Sequence, residues 1–199
     1  MSATTNGGGR GARERILRAA TRLFYDQGIT ATGIGELTEV AHVSKRTLYQ
    51  HFESKDVLVA AYLGRFADES LLAREQILAR TDLPARDRLL GLFDDLEVTG
   101  EGALRGCPYL NAAAEIADPA HPARRLAVEH KRAFRELLRA TAEEAGAADP
   151  GRLADQLAVL FDGALAQSAL LNDRAPLRHA RAAAETLLSE GRGHASSGA

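Results

Sequence analysis

The sequence predicts an all-α fold, a short N-terminal three-helix module followed by a larger helical bundle, on three observations. Apolar residues recur at three- and four-residue spacing along most of the chain. No stretch alternates apolar and polar residues convincingly with the period of a strand. The breaks coincide with turn chemistry, at TGEGA, DPAHP, GAADPG and NDRAP, while Pro84, Pro122, Pro150 and Pro176 stand near the expected helix starts, where a missing N–H costs least.

Each element follows in order. From Arg13, the residues Ile16, Leu17, Ala20, Leu23 and Phe24 make one buried stripe, and Gly28 stops the helix. Thr30 or Thr32 is placed to cap a second helix over residues 34–41, with Leu37, Val40 and Ala41 turned inward. Ser44 caps a third, residues 45–51, whose Leu48 and the following Phe52 face the same core. Ser54 opens a fourth through SKDVL, with Leu58, Ala61, Tyr62 and Phe66 carrying it toward residue 80. Further helical patterns cover 85–98, 104–117, 121–145, 152–171 and 177–188. The glycine-rich ends, 1–11 and 191–199, lack periodic apolar residues and read as disordered tails; between them, residues 12–53 form one domain and 54–190 another.

Composition narrows the function. The chain has 199 residues, one cysteine and a net charge of −2. Cys107 has no partner for an internal disulfide, no secretory leader is evident, and no apolar run approaches the roughly 20 residues that cross a bilayer. A cytoplasmic protein without membrane association is expected. The charge is uneven: residues 1–60 balance at +2 and residues 61–199 at −4, so a polyanion site belongs near the N-terminus.

Two of only three lysines, Lys45 and Lys55, fall within VSKRTLYQHFESKD. Two short helices joined by the tight turn AHVS, the second presenting polar side chains, form a helix-turn-helix pattern. A helix of that width enters the major groove of double-stranded DNA, so Lys45, Arg46, Thr47 and Gln50 can meet base edges. Tyr49, His51 and Lys55 have the reach and the donors for phosphates, and Lys55 brings the positive end of the fourth helix near one. The plainer reading of the same segment is a solvated helix followed by a capped one.

The run ILRAATRLFYDQGITATGIGELTEVAHVSKRTLYQHFESKDVLVAAYL, with helix one, the turn and TLYxHFxSKxxL all in register, resembles the tetracycline-repressor (TetR) family of bacterial transcriptional regulators. The resemblance covers residues 15–63; the rest matches in helical content and length. It implies a homodimer whose N-terminal modules bind a palindromic operator and whose C-terminal bodies bind a small-molecule effector. It places Thr47, Tyr49, His51 and Lys55 at the DNA, and Thr32 at a phosphate; Ser44, at the start of the recognition helix, is counted with the DNA-binding candidates. The chain departs from the family pattern at Gly35, Thr38 and His42. His42 stands where the turn usually has glycine, so a positive φ is expected on a side chain that tolerates it better than most.

In the acidic body, the pattern at 152–171 is apolar on more than one face. Leu157, Leu160, Leu165 and Leu171, with Ala184, Leu187 and Leu188 of the last helix, are the candidates for a dimer seam. A central helix in a monomeric bundle would show the same pattern. Residues that could line an effector cavity are Tyr62, Phe66, Phe93, Tyr109, Asn111, Phe134, Phe161 and Gln167, with Cys107 beside them, although such residues more often make core. Cys107 would serve as a redox sensor only if its thiol were exposed. No grouping suits a metal ion, no nucleophile stands with a base and an orienting group, and no cofactor loop is present, so neither enzyme activity nor a cofactor is expected. The remaining rivals are a redox-controlled regulator acting through Cys107 and a helical carrier or interaction protein that does not use DNA.

Overall fold

The computed structural model describes residues 8–98 and 105–190, and the regular elements among them are helices. In chain order these are α1 (Gly8–Gln27), α2 (Ile34–Ala41), α3 (Lys45–His51), α4 (Lys55–Leu78), α5 (Ala85–Val98), α6 (Pro108–Glu115), α7 (Pro122–Glu144), α8 (Pro150–Leu171) and α9 (Ala175–Glu190). They form two compact units. The first holds the described residues up to 67 together with 108–128; the second holds the described residues of 68–107 and those from 129 onward.

In the first unit, α1 buries Ile16, Leu23 and Phe24, the stripe set by the apolar spacing, and packs on α2 and α3; Leu37, Leu48, Phe52 and Leu58 of the same unit are likewise buried. Removing these surfaces from water supplies about 1.5–3 kcal/mol for each large side chain. Gly28 ends α1 at φ 102. Four residues of the expected N-terminal tail, 8–11, belong to α1 instead, because the helix continues back from a buried Ala12; the remainder of both tails lies outside the described residues.

The cap of α2 differs from expectation. Its N-cap is Gly33, with no side-chain capping bond, while Thr32 is fully buried and donates from Oγ1 to the Gly28 carbonyl at 2.7 Å. The threonine thus closes the corner after α1 instead of opening α2. At the other end of α2, His42 adopts φ 51, the left-handed conformation expected for the turn. Its N–H donates to Glu39 O, and that of Val43 to Thr38 O at 3.0 Å. Arg15 closes the same terminus, donating from Nε to Ala41 O at 3.1 Å.

The second unit packs α5, α7, α8 and α9 around Leu89, Phe93, Phe134, Leu138, Leu153, Leu157, Phe161, Leu177, Ala184 and Leu188. Asp149 caps α8, accepting from Arg152 N–H at 3.0 Å with Pro150 at the first turn, and Asn172 ends it at φ 49. The pattern read over 104–117 yields a shorter α6: residues 105–107 are non-helical, Gly106 sits at φ 77, and Pro108 starts the helix. Leu104 and the TGEGA break lie outside the described residues.

Candidate nucleic-acid interface

The pose of α3 follows from three fixed points. Ser44 Oγ accepts the Thr47 N–H at 3.0 Å, capping the helix, and its hydroxyl pairs with Thr47 Oγ1 at 2.9 Å. Leu48 and Phe52 are buried at 0% and 2% exposure. With those residues pinned inward, helical geometry turns Lys45, Arg46, Tyr49 and Gln50 outward. All four are exposed, Tyr49 at 47%, whereas Thr47 and His51 are half-buried. Neither Lys45 nor Arg46 makes an ion pair or side-chain hydrogen bond among the described residues, so their charges face solvent uncompensated.

Two expected DNA contacts are revised. The Thr32 hydroxyl is committed to Gly28, and its burial takes it away from any phosphate. Lys55 turns back: Nζ donates to the Ile29 carbonyl and lies 5.9 Å from the Phe24 ring centre. The hydrogen bond is partly buried, where the low local dielectric strengthens it. What remains outward at that place is the positive end of α4, where Ser54 Oγ accepts the Val57 N–H at 3.2 Å. Arg13 also belongs to the packed module, its guanidinium 5.2 Å from the Phe52 ring centre.

Glu115 was invisible to sequence reasoning. From α6 its Oε2 accepts the Thr30 N–H at 2.7 Å, so a residue 85 positions away holds the corner between α1 and α2. No local pattern signals such a contact. Nearby, Arg124 donates to the Ala113 and Ile116 carbonyls at 2.6 and 3.0 Å and closes the C-terminal end of α6.

The candidates for an effector cavity are divided between the two units. Tyr62 meets Phe24 and Phe66 edge-on, at 5.6 and 5.4 Å between ring centres, and Phe66 stacks on Tyr25. Tyr109 is buried with its hydroxyl donating to Leu63 O at 3.0 Å, and Asn111 is half-buried on the same helix. These four belong to the first unit. Phe93, Phe134 and Phe161 pack together inside the second, Cys107 is buried at 4% exposure, and Gln167 lies on the surface. The exposure that a redox-sensing Cys107 requires is absent.

The seam candidates divide similarly. Leu157, Ala184 and Leu188 are fully buried in the second unit's own core, so they are not available to a partner. Leu160, Leu165 and Leu187 are partly buried, and Leu171 is 58% exposed. The outward apolar face of α8 and α9 is instead led by Val159 at 73% and Leu170 at 78%, two residues not among the expected set. A shallow groove of about 680 Å³ runs along it, lined by Gln156, Val159, Leu160, Ala183, Thr186 and Leu187.

Comparison with known proteins agrees with this geometry. A family model for bacterial regulatory proteins of the tetR family matches residues 16–62, and one for the tetracyclin repressor-like C-terminal domain matches residues 85–184. The chain belongs to the TetR family. Its similarity includes a TetR-family transcriptional regulator from Streptomyces coelicolor, 30% identical with a TM-score of 0.81 over 92% of this chain and 97% of that one. It also resembles the transcriptional activator FasR of Mycolicibacterium smegmatis, 39% identical over 94 residues, and the transcriptional repressor NemR of Escherichia coli K12, 28% identical over 108. Those alignments span 45% and 53% of this chain but only 42% and 54% of the two relatives. Both family and relatives are transcriptional regulators, and the chain is a DNA-binding regulator of this kind. No helix among the described residues is long and apolar enough to cross a membrane.

Proposed function

We propose that the chain acts as a homodimeric repressor that reads a palindromic operator through residues 12–53 and is released by a small-molecule effector bound within residues 54–190. The observation that carries the reading is the outward face of α3: Lys45, Arg46, Tyr49 and Gln50 stand in solvent over a buried Leu48 and Phe52. Ser44 and Thr47 position this helix, and Lys45, Arg46 and Gln50 read bases. Tyr49, His51 and the N-terminal end of α4 fix phosphates.

One helix of seven residues contacts few base pairs, and two-fold symmetry doubles them. The apolar face of α8 and α9 supports that pairing. An effector that favours one spacing of the two recognition helices over another by about 1–3 kcal/mol gives a useful switch. Control through Cys107 has the burial of its thiol against it.

The test is titration of the protein with duplexes selected from fragments of its native genome, at several salt concentrations. An inverted repeat bound with steep salt dependence is the expected result. Binding that is absent, or indifferent to both sequence and salt, would sink the reading.

A further inference from the structure

The residues of α3 that stand in solvent are not equivalent in direction. At about 100° per helical residue, Arg46 and Gln50 each lie within about 20° of the direction opposite the buried Leu48, while Lys45 and Tyr49 fall on one flank and Thr47 and His51 on the other. The exposures agree: Arg46 and Gln50 are exposed, and Thr47 and His51 are half-buried. Being four residues apart, Arg46 and Gln50 share one ridge, separated by about 6 Å along the helix axis. Thr47 Oγ1 lies 2.9 Å from Ser44 Oγ, so those two hydroxyls are already paired. Neither Arg46 nor Gln50 makes a side-chain hydrogen bond or ion pair among the described residues, and α3 contains no acidic residue to hold the guanidinium back.

Resting on the DNA reading above, we propose that this ridge sets the sequence of the operator: Arg46 reads a guanine and Gln50 an adenine, in base pairs one or two steps apart within each half-site. When a helix lies in the major groove, the ridge opposite its packed side faces the base edges, and its flanks face the phosphate walls. There the inventory of donors and acceptors decides the partner. A guanidinium offers donors alone, and guanine is the base whose major-groove edge presents two acceptors, O6 and N7. A carboxamide offers a donor and an acceptor, which match N7 and the N6 amino group of adenine. Lys45 is a point charge on a flexible stem, so from its flank it adds attraction with less angular demand. Base pairs stack about 3.4 Å apart, so a separation of about 6 Å covers one or two steps.

The experiment selects duplexes from a random-sequence library with the full chain, then titrates fluorescent duplexes with the parent and with Arg46→Ala, Arg46→Lys, Gln50→Ala and Gln50→Lys, each checked for folding by thermal melting. The parent is expected to enrich an inverted repeat whose halves each carry a G·C and an A·T pair one or two steps apart, with about 5- to 150-fold preference at each. Arg46→Ala should erase the preference at the G·C pair alone, and Gln50→Ala that at the A·T pair alone. Arg46→Lys should keep guanine with less discrimination, and Gln50→Lys should move the A·T position toward G·C. Uniform weakening of every duplex by the alanine variants, with preferences intact, would make both residues phosphate contacts and overturn the proposal. So would both variants flattening the same pair, or preferences lost at pairs three or more steps apart. A parent that enriches no sequence removes the DNA reading and this assignment with it. A parent that enriches a repeat indifferent to Arg46 and Gln50 leaves the DNA reading standing and sinks the assignment alone.

Discussion

At Gly28 two constraints meet on one residue. Its φ of 102 disfavours any side chain, and a Cβ there would lie 3.1 Å from both carboxylate oxygens of Glu115. Gly28→Ala is therefore expected to destabilise the protein by about 1–3 kcal/mol, read from the denaturant midpoint. An unchanged midpoint would contradict the geometry. His42 is the opposite case, a side chain where glycine would fit, with φ 51 and an exposed ring. Replacing it by glycine removes left-handed strain of about 1–2 kcal/mol, offset in part by added unfolded-state entropy, so a modest gain is expected in the same measurement. His130 sets a pH dependence. Burial, then Arg74 and Lys131, hold its folded pKa at about 4, below the ordinary 6.5, so the unfolded chain binds the extra proton. This stabilisation is present above pH 6.5 and is lost as pH falls toward 4, an effect on the order of 3 kcal/mol. Melting followed across that window should show it, and His130→Gln should flatten the decline.

For an element, the useful comparison is between α3 and the start of α4, which carry the basic residues of one motif in different roles. Arg46 is exposed and Lys55 is turned to Ile29 O. Arg46→Ala is expected to leave stability within about 0.5 kcal/mol, while weakening operator binding and changing which base pairs are preferred. Lys55→Met should instead cost about 1–3 kcal/mol of stability by stranding the Ile29 carbonyl, with any loss of DNA binding following from the disturbed corner. Chemical denaturation and duplex titration of both variants separate the roles; identical profiles would refute the distinction. The cap of α3 is subject to the same logic: Ser44→Ala removes the oxygen that accepts the Thr47 N–H, at about 1 kcal/mol.

At the scale of the whole molecule, the proposed pairing rests on the outward face of α8 and α9. Val159 and Leu170 are each more than 70% exposed beside Leu171 at 58%, an apolar display that suits burial against a second copy. Val159→Glu combined with Leu170→Glu is expected to give a folded monomer by light scattering and to abolish tight binding to an inverted repeat. A dimer that survives both changes would place the seam elsewhere.

The sequence by itself determined the helices, the turn and the kind of surface that α3 presents. Apolar period, Ser44 as a cap, Gly28 as a stop and the left-handed His42 are local physics, legible within a few residues of where they act. Tertiary structure decided which equally plausible residues were already occupied. Lys55 is drawn to the Ile29 carbonyl, and Leu157, Ala184 and Leu188 to the core, leaving Val159 and Leu170 outside. It also brought Glu115 to Gly28 and Arg74 to His130, pairings between residues far apart in the chain that no helical period encodes. A period tells how many faces of a helix are apolar; only packing tells which face the rest of the chain has covered.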